Sequence, residues 1–339
     1  MINVKNSKIL KGKKFIDLFA GLGGFRIALE SLGAECIYSS EIDTIVAQVY
    51  YNNFGDYPDG DITKVDAKSI PDHDILCAGF PCQAFSISGK KLGFEDSRGT
   101  SFFEVARIVK DKKPSIVFME NVKNFVTHDS GKTLQVVKSI IEDLGYTFFY
   151  KVLNATHYGI PQKRERIYMV CFRKDLGIDN FDFPTPFKLD HYVEDFLMPE
   201  DAIPSNLYVN RSDIFITDKE DNTYRNKAIR LGTVNKGGQG ERIYSTKGVA
   251  ITISAQGGGI FAKTGGYMIN GKYRRLHPIE CARLMGFPDT YKICGNRNQA
   301  YQQFGNSVVI DIIQYIAIQF AHIITSPPEK YEQSRIFPI

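Results

Sequence analysis

The 339-residue chain lacks several things, and each lack removes a class of function. Its six cysteines, at 36, 77, 82, 171, 281 and 294, include no CxxC pair and no Cys/His cluster. That argues against a zinc site or a disulfide framework and places the chain in a reducing cytoplasm. The opening MINVKNSKILKGKK has no apolar stretch, so no secretory leader is expected. The most apolar late run, VVIDIIQYIAIQFAHII over 308–324, is broken by Asp311, Gln314 and Gln319. It reads as a buried amphipathic helix rather than a membrane span. A glycine pattern of the GxGxxG kind is missing too, because DLFAGLGGFR carries Arg26 where the third glycine would stand.

Charge is also scarce, with a net of only +4, but it is unevenly placed. Between Thr223 and Arg275 stand ten Lys/Arg against one acid, Glu241, so this stretch is +9 and the rest of the chain −5. A basic block on an acidic protein is the footprint expected for phosphate binding, although a solvated surface would have the same composition.

What is present along residues 14–150 is alternation. Apolar runs at 14–20, 34–41, 74–80 and 115–120 read as strands. Amphipathic stretches at 24–33, 43–55, 100–113 and 132–145 read as helices ending near glycine or proline. This pattern predicts an α/β fold with a doubly wound, mostly parallel sheet. A further strand, IYMVCF, follows at 167–172. From 223 to 275 the texture changes to eleven glycines and short β-like runs without helical period, as in a small inserted domain of strands and loops. Helical patterning returns at 277–287 and again from Ser307, and that last helix is expected to pack back on the first domain.

Five stretches carry chemistry. Glycines 21, 23 and 24 turn the first strand into the first helix, where a ligand can approach backbone N–H groups. Glu41 ends the second strand twenty residues after Gly21, a spacing suited to ribose hydroxyls, and Asp61 stands at what reads as a third strand's end. AGFPCQ sets Cys82 after a stiff Phe80-Pro81 turn at the mouth of a buried strand. An unperturbed thiol is only about 3% thiolate at neutral pH, so a nucleophilic Cys82 needs a positive setting, and an inert buried thiol is the alternative. Glu120 closes the strand SIVFM one strand over, as a catalytic or a capping acid. In QKRERIYMV, Arg164 and Arg166 are two apart and share a strand face, as a site or as a charged edge.

Taken together, AGFPCQAFS, MENV, QKRERIY, DLFAGLGGFR and the late QFGNSV resemble the DNA (cytosine-5) methyltransferases in the family's motif order, over almost the whole chain. KGGQGERIYSTKG and GGGIFAKTGGY add a resemblance to the HhaI-type bacterial restriction-modification enzymes, which read GCGC. The resemblance implies an S-adenosylmethionine-dependent methyltransferase fold, with a small target-recognition domain inserted before the C-terminal helix. It divides the chain into a catalytic and cofactor domain (1–194), a target-recognition domain (195–277), a hinge (278–305) and a returning segment (306–339). It implies Cys82 as nucleophile at cytosine C6, Glu120 at N3 and N4, Arg166 at O2, and Arg164 in support. For the cofactor it implies Phe19, Gly21, Leu22, Gly24, Glu41, Ile42, Asp61, Ile62, Pro81, Asn306 and Val308. For DNA it implies Ser88, Gln239, Arg242, Ser254, Gly258 and Gly259, with 86–99 as a closing lid.

The expected partner is double-stranded DNA, with no metal and no membrane. The protein is expected to be a monomer whose cognate endonuclease acts on the same site. Two positions depart from the HhaI-type pattern: Ile42 stands where that pattern has a tryptophan, and Gln256 where it has an aromatic.

Three other readings account for fewer of these features. A cytosine-5 methyltransferase acting on tRNA would generally carry a smaller insertion. A nicotinamide oxidoreductase would rest on the glycine turn and Glu41 alone. A non-catalytic DNA-binding module would leave the Pro-Cys and Glu pair unused.

Overall fold

The computed structural model describes residues 8–81, 101–217 and 225–325. The amino-terminal half is built on a six-stranded sheet: β1 (Lys14–Leu18), β2 (Glu35–Ser40), β3 (Ile75–Ala78), β4 (Ile116–Val122), β5 (Tyr146–Asn154) and β6 (Glu165–Arg173). Their spatial order is β2-β1-β3-β4-β6-β5. The first four are mutually parallel, while β6 runs antiparallel to both β4 and β5. From β1 the chain steps to β2 on one side and returns to β3 on the other, which opens a crevice at the carboxyl ends of β1 and β3.

The strand side chains alternate between two cores. Phe15, Cys77, Phe118 and Val170 face one cluster with α1 (Gly24–Ser31) and α7 (Ile310–Thr325). Ile16, Leu76, Val117 and Met169 face the other, with α3 (Ser101–Lys112) and α4 (Lys132–Asp143). A strand period of two with helices on both faces explains why these runs are apolar throughout. Helix α2 (Thr44–Phe54) starts where Asp43 Oδ1 accepts from the N–H of Ile45 at 2.9 Å and ends at Gly55, φ 80°. The terminal helix packs against α1 and β4: Gln314 Nε2 donates to Ser31 Oγ at 2.7 Å, and Phe118 meets Phe320 edge-on. Residues 297–325 are long and apolar enough to cross a membrane by length and composition, but α7 buries Ile312, Ile313, Ile316 and Phe320 in the core.

A second six-stranded sheet, ordered β7-β12-β11-β10-β9-β8, is formed by β7 (Tyr208–Val209), β8 (Ile214–Ile216), β9 (Arg230–Val234), β10 (Arg242–Ser245), β11 (Gly266–Ile269) and β12 (Lys272–Arg275). Its Tyr244 and Tyr267 belong to the same apolar cluster as α1 and α7, so the two sheets share a core at their junction. Helices α5 (Pro278–Arg283) and α6 (Arg297–Asn306) lead from there into α7.

Three expectations are corrected. The strand expected before Asp61 is only an isolated bridge between Ser40 and Asp59, and Asp61 instead caps the short 3₁₀ turn Ile62–Lys64. The expected last helix is present but begins at Ile310, and helix α6 before it was not anticipated. Strand β5 was not anticipated: YTFFYKVLN presents half-exposed and buried residues without clean alternation, and its pairing with β6 is a tertiary matter.

Candidate active site and nucleic-acid cleft

The glycine turn and the ends of β2 and β3 converge on the crevice. Phe19, Gly21 and Gly23 all have positive φ, of 56°, 55° and 75°. The left-handed Phe19 is a strained position, which marks a turn held for more than connectivity. Glu41 clamps the turn from β2: its Oε2 accepts from Gly21 N–H and its Oε1 from Asp43 N–H, each at 2.9 Å. Burial pushes the Glu41 pKa up, and these two N–H donors oppose the shift. Gly24 is required by close packing, since a Cβ there would lie 2.6 Å from Val308 Cγ2. Leu22 is buried, and its carbonyl accepts from Tyr291 Oη at 2.8 Å. Arg26 points away from the turn, its guanidinium 4.6 Å from the Phe54 ring centre and bonded to Asp56 and Glu30.

The remaining cofactor candidates lie on the same rim. Ile42 is 67% exposed beside Glu41, an apolar face that a flat ring would cover. Asp61 accepts from Thr63 Oγ1 at 2.7 Å and from Thr63 N–H, which lowers its pKa, and Ile62 is buried next to it. Pro81 is exposed after β3, and Asn306 is exposed at the end of α6 with Val308 buried two residues on. The donor set fits an adenosine-type ligand: a carboxylate on the second strand, backbone N–H groups at the start of α1, and an open apolar side chain.

One strand over, Glu120 is buried in β4 with its Oε1 3.2 Å from Arg166 Nε. Oε1 has no hydrogen-bond partner of good geometry, so the carboxylate keeps bonding capacity. Burial raises its pKa, against the lowering effects of Arg166 and Arg164. Arg166 Nη1 donates to the Glu165 carbonyl at 2.8 Å, which fixes the guanidinium against β6.

Arg164 is used differently. It is fully buried, and it donates from Nη1 to Ile253 O and from Nη2 to Gly305 O, each at 3.0 Å, and to Ser307 O. Burial and the Arg166 charge pull its pKa down to about 9, with Glu120 opposing. It therefore supports the site through three backbone carbonyls. Cys82 and Ser88 lie outside the described residues.

Two amides in the motifs MENV and QKRER, Asn121 and Gln162, also hold the frame of the site. Asn121, in MENV, donates from Nδ2 to Phe80 O at 2.9 Å and so fixes the backbone two residues before Cys82. Gln162, in QKRER, donates from Nε2 to Leu284 O at 2.9 Å while its Oε1 accepts from Ile253 N–H at 3.1 Å. The missed signal was a pair of buried amides, Asn121 and Gln162, each next to one charged residue, Glu120 and Lys163.

A cavity of about 420 Å³ is lined by Lys123, Glu165 and Arg166 from the first sheet's side and by Gln239, Arg242 and Tyr244 from the second's. Arg242 Nε is buried with no partner there, and Gln239 is exposed. Ser254 Oγ donates to Gln256 O at 2.7 Å. Gly258 is open, but Gly259 (φ 96°) packs on the neighbouring loop, where a Cβ would lie 2.6 Å from Gly240 O. The close approach these glycines serve is loop against loop. The basic count was also too generous: Arg225, Lys272 and Arg274 are paired with Glu194, Glu200 and Glu280, all outside the counted stretch.

Residues 13–322 match a family model described as C-5 cytosine-specific DNA methylase. The chain is 62% identical over 328 residues to the type II methyltransferase M.HhaI of Haemophilus parahaemolyticus, covering 97% of this chain and all of that one. It is 42% identical over 320 residues to M.HpaII of Haemophilus parainfluenzae, covering 88% and 87%. Among solved structures, Entamoeba histolytica methyltransferase EhMeth superposes with a TM-score of 0.71 at 18% identity, over 94% of this chain and all of that one. A putative DNA modification methyltransferase of an Escherichia coli prophage superposes with a TM-score of 0.70, over 93% of this chain and all of that one. At such identities these two report the fold.

Proposed function

This chain belongs to the C-5 cytosine-specific DNA methylase family, and from that we propose which of its residues perform the reaction and what sequence it reads. It is an S-adenosylmethionine-dependent DNA (cytosine-5) methyltransferase of the type II restriction-modification kind. When bound, S-adenosylmethionine supplies an electrophilic methyl carbon. Phe19, Gly21, Leu22, Gly24, Glu41, Ile42, Asp61, Ile62, Pro81, Asn306 and Val308 would hold it.

Cytosine C5 is a poor nucleophile until a thiolate adds at C6 and makes the ring an enamine. Cys82 is the group for that addition. Glu120 donates a proton or hydrogen bond at N3 and accepts from the N4 amine, and its raised pKa suits it to hold that proton. Arg166 holds O2 and keeps Glu120 in place. Once C5 carries the methyl group, loss of the C5 proton and β-elimination free the Cys82 thiolate. The base must leave the duplex to reach these groups. Extrusion costs a few kcal/mol, and specific recognition supplies about 4–10.

The observation that carries this reading is the Glu120–Arg166 pair at 3.2 Å, on the rim whose neighbouring turn Asn121 fixes at Phe80. Arg242, with an unpartnered Nε in the facing wall, is the best candidate for a guanine O6/N7 contact. With Gln239, Ser254, Gly258 and Gly259 it supports GCGC as the target. Ser88, from the stretch after Cys82, would meet Gln239 in the gap left by the extruded base. The same reading makes the protein a monomer in a bacterial cytoplasm, working without a metal alongside an endonuclease for the same site. Bisulfite sequencing of a plasmid treated with the purified protein tests it: protected cytosines at GCGC are expected. Protection at another site would overturn the sequence assignment, and methylation of tRNA but not duplex would overturn the proposed substrate.

A further inference from the structure

We propose that Glu165 is a built-in competitor for backbone phosphate, which occupies Lys123 and holds down the affinity of the cleft for duplex DNA. The proposal rests on duplex DNA lying across the cavity between the Glu120–Arg166 rim and the second sheet. Lys123, Lys163, Arg166 and Arg242 line that cavity, as a polyanion would require, and Glu165 is the one carboxylate among the described lining residues. Lys123 Nζ donates to both of its oxygens, at 3.1 and 3.0 Å. The two side chains are 54% and 36% exposed, so the pair contributes little to the stability of the fold. Glu165 is nevertheless held in register, opposite Asn154 in the β5–β6 ladder, and Arg166 pins its carbonyl. A carboxylate fixed at that mouth, serving neither the core nor the base site, acts on whatever enters.

Each phosphate neutralised by a lysine or arginine releases condensed cations, and the logarithm of affinity then falls with the logarithm of salt by about 0.9 per contact. While Lys123 is held by Glu165 it contributes no such contact. To reach a phosphate it must leave the carboxylate, which then faces the phosphodiester as a like charge. The pair therefore weakens binding to any duplex, whatever its sequence, and shortens each encounter during a search.

The test measures binding of a fluorescent duplex without GCGC, over 50–200 mM KCl, by anisotropy. Glu165→Gln is expected to bind roughly three- to tenfold tighter at 100 mM salt and to steepen the salt slope by about 0.9. In a Lys123→Met background the same change should have lost most of that gain. An unchanged slope and affinity in Glu165→Gln would overturn the proposal, as would a gain undiminished without Lys123. If the unaltered protein binds and methylates duplex while Glu165→Gln is indistinguishable from it, only the competitor role fails. If the unaltered protein binds no duplex, the proposed function fails with it.

Discussion

Glu120 is held under opposing demands. Burial raises its pKa above the ordinary 4.5 in spite of two arginines, so the ionised form is the one the fold disfavours. Below the unfolded pKa both states are protonated and that cost is absent; it enters as pH rises through the higher folded value. Glu120→Gln is therefore expected to raise the melting temperature at pH 7.5, with the gain fading toward pH 4.5. The same change should lower kcat by roughly 10²–10⁴-fold. Calorimetry across that range and a methyl-transfer assay check both halves. For Cys82, the Ala variant should transfer no methyl group, and duplex containing 5-fluorocytosine should trap the unaltered protein covalently, because fluorine blocks the last elimination. A denaturing gel without a shifted band under turnover conditions would count against the covalent route.

At the scale of elements, the strands and helices of residues 14–145 were legible because each is a local pattern: a short, nearly continuous apolar run in β1, β3 and β4, a wider apolar face in α1, α3 and α4. The antiparallel β6 and its partner β5 were not legible as a pair, since direction in a sheet is decided by how the chain returns. Gln162 belongs to this scale as well. Its amide spans the Ile253 N–H and the Leu284 carbonyl, giving a stretch outside any ladder the partners a strand would have had. Gln162→Ala would orphan both buried groups, and a loss of about 2–3 kcal/mol in denaturant unfolding is expected. Arg164, two residues on, holds the Ile253 carbonyl, so a lysine there, with one point charge and no fork, cannot reproduce the set.

For the whole molecule, what matters is how the second sheet sits over the crevice. Gly305 lies against Ser254–Ala255, where a Cβ would come within 2.7 Å of Ala255 Cα, and its carbonyl takes Arg164. The cofactor candidate Asn306 follows directly and Val308 stands three residues on, so one backbone segment packs on the Ser254–Ala255 loop and carries candidate cofactor residues. Gly305→Ala is expected to displace the Ser254–Ala255 loop, raising KM for duplex roughly tenfold and destabilising the protein by about 1–3 kcal/mol. An unchanged KM would mean that this loop takes no part in holding DNA. The charge of the inserted stretch shows the limits of counting at this scale: three of its ten cations are paired with acids supplied from beyond it.

The order and type of the early elements and the glycine turn follow from the sequence by itself, because propensity and periodicity act within a few residues, whereas the grouping of Cys82, Glu120 and Arg166 was implied only by the resemblance of their motifs to the family. Only the tertiary structure decided that Arg164 grips backbone carbonyls while Arg166 faces Glu120, that Asp61 caps a turn, and that the insertion's glycines pack on one another. Those outcomes depend on which distant groups burial brings within about 3 Å, and a buried polar atom must then find its partner wherever the fold has put one.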